Sequence, residues 1–211
     1  MGSISHQDNV NISSADSRPN FAIDNSSQFK DFVRFIGLAK EDCTIQPNGA
    51  NLKLNLTSGR IFGLGINYKD NPKNPNIITI PSQTIVKFRM ATRNSINNTE
   101  IEDLDIANYD PNVNGIAVAR PTGNNRGVNH RVFLLEDGKV VIQYAQEDYG
   151  SKNNAENAIP IENFIINPEL RARGTLIGII TIDRNASALT SNGDARILDI
   201  RSSFGFTGNG D

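Results

Sequence analysis

Leu52, Leu54 and Leu56 alternate with Asn51, Lys53 and Asn55, the period-two signature of a strand with one face on a core and the other in water. A turn at Pro47-Asn48-Gly49 precedes this run, and Ser58-Gly59 sends the chain back into a second strand predicted from Gly59 to Ile66. Arg60, Phe62, Leu64 and Ile66 share one face of it, with Gly59, Gly63 and Gly65 where another backbone can come close. Two Asn-Pro steps, Asn71-Pro72 and Asn74-Pro75, force an extended loop before the apolar run Ile77 to Ile80. From Thr84 to Thr92, Val86, Phe88 and Met90 point inward against Lys87, Arg89 and Ala91, and Ile116 to Ala119 gives a short strand. Val132 to Leu135 and Val140 to Ile142 flank Glu136-Asp137-Gly138-Lys139, where Asp-Gly supplies hairpin geometry. Leu176 to Ile182 is apolar on both faces, as a central strand covered on each side must be.

Helical spacing occurs in few places. After Ser26 or Ser27, candidate N-caps, Phe29, Phe32, Val33 and Ile36 fall on one helical face and Gly37 stands where the helix would end. This amphipathic stretch has two uses open to it: packing on the chain's own sheet, or docking onto another subunit. Ser151 is placed to cap a helix over 152–159 that Pro160 stops, and Asn167-Pro168 starts another turn. Residues 1 to about 24 are polar and show neither period, so they are expected to be disordered or draped on a neighbour. The expected division is an arm with its anchor helix over residues 1–44, a β domain over 45–206 and a tail over 207–211. With strands at short intervals and few helices, the predicted fold class is mainly β: a β-sandwich or jelly roll with one or two short helices and a polar N-terminal arm.

Composition narrows the function classes. At 211 residues the chain can bury roughly 70% of its unfolded surface, enough for one substantial core. A net charge of −2 and a pI near 5.7 argue against a phosphate-gripping protein, which carries a clustered basic excess. Cys43 is the one cysteine, so no intrachain disulfide and no thiolate cluster can form, which fits assembly in a reducing cytoplasm. No apolar run approaches the roughly 20 residues of a membrane helix, and MGSISHQDNV lacks the layout of a secretory signal. Asparagine makes up about one residue in eight, and it favours turns where a short amide satisfies backbone groups. No fixed-period repeat or heptad appears.

The Gly59–Pro81 segment, the hairpin from Arg131 to Tyr144, the run Leu176 to Ile182 and the closing Ala195-Arg196-Ile197-Leu198-Asp199 with Ser203-Phe204-Gly205 together resemble the β-rich structural proteins of tailed bacteriophages. Those are the tail-fibre, baseplate and appendage components, and the likeness runs from about residue 45 to 206. It implies a virion protein assembled in the host cytoplasm, whose partners are copies of itself and other virion proteins, with a host surface glycan as a further candidate partner.

Candidate chemistry is sparse. The two histidines, His6 and His130, lie far apart, so a triad with Cys43 or a serine depends on the fold; His130 is expected in an exposed loop. Glu100, Glu102, Asp103 and Asp105 supply the carboxylate pairs a glycosidase needs, yet they sit in one charged run of the kind found on solvated strands. Asp110, Asn112 and Asn114 with Gly115 match the first half of a calcium loop, but Pro121 stands where the bidentate Glu belongs; an Asx-turn loop is the simpler expectation. Sequons at Asn11, Asn25, Asn55, Asn97 and Asn185 follow from asparagine abundance. Arg120, Arg126 and Arg131 are expected as solvated loop charges, without an aromatic platform for bases. The expectation is therefore a non-enzymatic subunit with no cofactor, no metal, no nucleic-acid partner and no membrane insertion, docking through Phe29, Phe32, Val33 and Ile36. A carbohydrate-binding module is the rival reading, resting on Tyr68, Tyr109, Tyr144 and Tyr149 but lacking tryptophan.

Overall fold

The computed structural model describes residues 3–6, 12–16, 27–28, 30–32, 37–111, 114–123, 125–190 and 194–200. The chain divides into two compact units, residues 1–35 and 36–211. In the first, strands β1 (Ser3–His6) and β2 (Ile12–Asp16) pair antiparallel with Ser3 opposite Asp16. Neither strand is expected from the sequence, where residues 1 to about 24 show no strand period. The ladder is built from backbone groups, and segments as polar as SISH and ISSAD leave no periodic trace in the sequence. Residues 27, 28 and 30–32 are helical, where the anchor helix is predicted; Phe29, Val33 and Ile36 lie outside the described residues.

The second unit is mainly β and sandwich-like. It opens with β3 (Ala39–Asp42) and β4 (Ile45–Pro47), so regular structure starts before residue 45. β5 (Leu54–Leu56) pairs antiparallel with β4, and β6 (Gly59–Phe62) lies between β3 and β7 (Ile77–Ile80) in a three-stranded antiparallel sheet. β6 ends four residues earlier than the pattern predicts. The chain instead turns through Leu64 to Asp70, because Asn76 Oδ1 accepts from the Gly65 amide at 2.9 Å and Asn67 donates to the Ile77 carbonyl at 2.7 Å. Amide side chains there replace ladder partners, which apolar periodicity cannot register.

A larger mixed sheet of seven strands forms the centre. Its strands are β8 (Phe88–Ala91), β9 (Ile96–Ile101), β12 (Gly127–Leu135), β13 (Val140–Gln143), β14 (Asp148–Tyr149), β15 (Gly174–Asp183) and β16 (Ala195–Asp199). They run in the order β16-β15-β12-β13-β8-β9, with β14 also on β12. Only β13 and β8 are parallel among the pairs of this sheet. A short ladder of β10 (Asn108–Tyr109) and β11 (Val118–Ala119) stands beside it. The β12–β13 hairpin turns where predicted: Gly138 has φ +79 and its amide donates to the Leu135 carbonyl at 3.0 Å. Only a residue tolerant of the left-handed region serves there cheaply.

β12 is buried along all nine residues. Val128, Val132 and Leu134 face Ile45, Leu54, Leu56, Ile61 and Ile80 of the smaller sheets, while Phe133 and Leu135 join Val141 and Leu170 on the opposite side. The second side is covered by helices α1 (Lys152–Ala158) and α2 (Pro168–Arg173). Ser151 caps α1 by accepting from the Asn154 amide, and Asn167 caps α2 from the Glu169 amide with Pro168 at the first position, both as the sequence predicts. Leu176 to Ile182 lies inside β15, between β12 and β16, with every residue from Ile177 to Asp183 buried. Each such isoleucine removed from water contributes about 1.5–3 kcal/mol.

Candidate functional site

The polar residues of the β12 region are where structure and sequence expectation part. His130, expected in an exposed loop, is 0% exposed in the central strand. Its Nδ1 accepts from the Ala145 amide at 3.1 Å, which places the ring proton on Nε2. Burial, reinforced by the nearby Arg120 guanidinium, pushes the imidazole down to about 3, against the pull of Asp105. The ring packs edge-on to Tyr144 at 6.0 Å between centroids. Tyr144 donates to Asp105 Oδ2 at 2.6 Å. Burial works to raise the Asp105 carboxyl, but Tyr144, Asn108 and the Ala107 amide together hold it below the usual range. His130, Tyr144 and Asp105 are the types a proton relay uses. A general base, however, must reach a substrate proton within about 3 Å, and His130 has no accessible surface from which to do so.

Arg120 and Arg131, expected in solvent, are buried. Arg120 donates from Nε to Asp148 Oδ1 at 3.1 Å, from Nη1 to the Ile106 carbonyl at 3.0 Å and from Nη2 to the Arg126 carbonyl at 2.7 Å. Arg126 closes on the other carboxylate oxygen of Asp148 and donates to its carbonyl at 3.1 Å. Burial lowers the Arg120 pKa, and Asp148 offsets part of that. Arg131 donates to Glu162 Oε2 at 2.6 Å and lies 4.6 Å from the centroid of the Phe164 ring. Burial raises the Glu162 carboxyl despite Arg131, and burial pushes Tyr149 beside it up to about 12. Asn129 completes this layer, donating to the Ala155 carbonyl at 2.7 Å and accepting from Thr181 at 2.7 Å. These contacts are why polar side chains sit in a central strand: each finds a partner inside.

The calcium-like loop is drawn into the same interior. Asp110 is fully buried, and its Oδ2 accepts from the Arg93 amide at 2.7 Å and from Arg93 Nε at 3.3 Å. An oxygen that a calcium loop would turn to its cation is thereby engaged by Arg93. Asn112 lies outside the described residues; Asn114 is described, and Gly115 beside it has φ +66. Among the described residues no group of three or more His, Cys, Asp or Glu is placed to hold a metal ion.

The carboxylate run does not form a facing pair across a cleft. Glu100, Glu102 and Asp103 border one wide depression of about 540 Å³ with Lys87 and Ile101, and Glu102 is held by Lys53 at 2.7 Å. Asp105 points instead to Tyr144. Cys43 is buried, and burial pushes its thiol up, so the nucleophilic thiolate is disfavoured.

Apolar side chains show the converse arrangement. Phe32 is 57% exposed, Tyr68 66% and Ile161 84%. Of the tyrosines expected on loops, Tyr68 alone is exposed; Tyr109, Tyr144 and Tyr149 are half-buried. Sequence reading missed the Arg93–Asp110, Arg120–Asp148 and Arg131–Glu162 pairs. A signal was available for the last: Asn129, His130 and Arg131 run without a break into Val132, so the strand extends back through them. The chain matches no protein-family model, no curated protein and no solved structure.

Proposed function

We propose that this chain is a non-enzymatic structural component of a tailed-bacteriophage particle, acting by self-association and by docking to other virion proteins. The observation that carries the reading is a division of labour between inside and outside. His130, Arg120, Asp148, Arg131 and Asp110 are sealed in the interior on protein partners, while Phe32 and Ile161 are left in solvent. Ionisable groups used this way fix a scaffold, and exposed apolar groups are what a partner covers. The phage class comes from the resemblance carried by residues 45 to 206. In that class the helical residues around Phe32, with Phe29, Val33 and Ile36 on the same predicted face, serve as the anchor.

A carbohydrate-binding role is supported by one observation, the exposed ring of Tyr68 at 66% in an asparagine-rich loop. A glycan array on the wild type and on Tyr68→Ala tests it.

Light scattering on the full chain across a concentration series tests the structural reading. The expected mass is at least twice the 23.1 kDa of one chain. A monomer at every concentration, which also fails to assemble with the products of the flanking reading frames, overturns it.

A further inference from the structure

The outward face of the three-stranded sheet is built from two cross-strand rows. Ala39, Phe62 and Ile77 are partners in one row, and Glu41, Arg60 and Thr79 in the next. Both rows lie on the face opposite the buried Ile61 and Ile80, because successive side chains of a strand point to opposite sides. Ala39 carries the smallest side chain, beside the half-buried Phe62, and Ile77 is 38% exposed. These residues line a groove of about 220 Å³, bordered by the Glu41–Arg60 ion pair at 3.0 Å. A void of about 150 Å³ accepts a benzene ring, so the groove has room for one phenyl group. Lys40, on the inward side of β3, is engaged by Asp199 at 3.2 Å, which leaves Glu41 and Arg60 as the charges of the two rows.

A face with one acid, one base, a ring and a hollow is complementary to itself. In a two-fold contact residue i of one copy meets j of the other, and j meets i. An axis along the strands between β3 and β6 exchanges the two strands, so Glu41 meets Arg60 of the second copy and Arg60 meets its Glu41. Phe62 of each copy then stands over Ala39 of the other, where the groove is open. An axis along β6 would instead set Arg60 against Arg60, a like-charge pairing that disfavours it. The charges thus select one register, and a ring seated in a hollow gives that register its apolar centre.

We infer that this face of the small sheet is a contact between two copies of the chain, with Glu41 and Arg60 paired across it and the two Phe62 rings exchanged between grooves. The inference rests on the self-association proposed above and names a surface for it. The two rows offer far fewer residues than the roughly 20–30 a side of a stable interface. The contact therefore acts together with the segment around Phe32, and losing either one separates the copies.

Sedimentation velocity on charge-reversed full chains tests this. Arg60→Glu alone and Glu41→Arg alone set like charges together twice across the axis, and each is expected to weaken association at least about tenfold. The ion pair each one breaks is exposed and contributes little to the fold. An equimolar mixture of the two variants restores opposite charges in the mixed pair, and it is expected to associate within about threefold of the wild type. The double variant Glu41→Arg/Arg60→Glu keeps an ion pair within each chain and must also associate, which preserves the test should a single variant fail to fold. Single variants that associate like the wild type overturn the inference while leaving self-association through another surface standing. A mixture or a double variant that does not recover overturns it as well. A wild type that stays monomeric overturns both this contact and the self-association on which it rests.

Discussion

Asp148 joins two arginines at a point almost closed to water: its side chain and that of Arg120 are 1% and 0% exposed, and Arg126 takes the second oxygen. Removing that one negative charge strands a buried guanidinium, which costs about 3–5 kcal/mol where a single partner is deleted. Asp148→Asn is therefore expected to lower the unfolding free energy by that amount, read as a fall in the urea midpoint at unchanged slope, and a loss below about 1 kcal/mol would show that the pair is more solvated than its geometry. His130 gives the pH dependence. Its folded pKa, about 3, lies below the unfolded value, so the unfolded chain binds the proton first as pH falls. The sign follows: the stability this neutral imidazole carries is complete above about pH 6.5 and is lost as pH falls from there toward 3, by about 1.4 kcal/mol per pH unit. Arg120 and Arg131 oppose protonation of the ring and Asp105 favours it, and the carboxyls add their own acid dependence. His130→Asn keeps an acceptor for the Ala145 amide and removes the titration, so its stability curve is expected to be flatter between pH 6.5 and 4; an unchanged slope would contradict it. None of these roles was legible in the sequence. Arg120, His130 and Asp148 are polar in a one-dimensional pattern, and what makes them interior is a partner 15 to 28 positions away.

At the scale of elements, Gly127 marks a tight approach between β12 and the start of α1. A Cβ built on Gly127 would stand 2.5 Å from the Lys152 Cα and 2.8 Å from the Ser151 carbonyl oxygen, both backbone atoms that cannot swing aside. Gly127→Ala is expected to destabilise the fold by about 1–3 kcal/mol, more than the roughly 1 kcal/mol for losing the cap in Ser151→Ala. Thermal unfolding of the two variants in parallel checks the order, and the reverse order would mean that α1 shifts freely on the sheet. Elements with a local signal were readable: the Asp137-Gly138 turn, the Ser151 and Asn167 caps, the apolar run in β15. Those set by pairing were not. β1 and β2 are polar strands held by their ladder, β6 ends where asparagine side chains take over, and β9 has the polar core Asn97-Asn98-Thr99, so none carries a clean alternation. The parallel match of β8 with β13 joins segments roughly 50 residues apart, a distance at which no local pattern speaks.

For the whole molecule, the proposed role rests on a contrast between the β body of residues 36–211 and an apolar ring left in solvent. Among the described residues, both hydrophobic clusters are drawn from residue 38 onward, and Phe32, in the unit of residues 1–35, is left 57% exposed. An apolar ring in water contributes nothing to the fold and a good deal to an interface once covered. The sequence anticipated this helical stretch from the spacing of Phe29, Phe32, Val33 and Ile36, and only Phe32 of the four is among the described residues. Replacing it with Asp should break association while the sandwich keeps its stability, because burying a carboxylate in an apolar contact is costly and nothing in the β core changes. Sedimentation velocity on the wild type and Phe32→Asp, with circular dichroism melts of both, is the most direct measurement. The wild type is expected to sediment as an oligomer and the variant as a monomer, with superimposable strand spectra and melting temperatures. A monomeric wild type, a variant that associates as before, or a variant that unfolds would each contradict it.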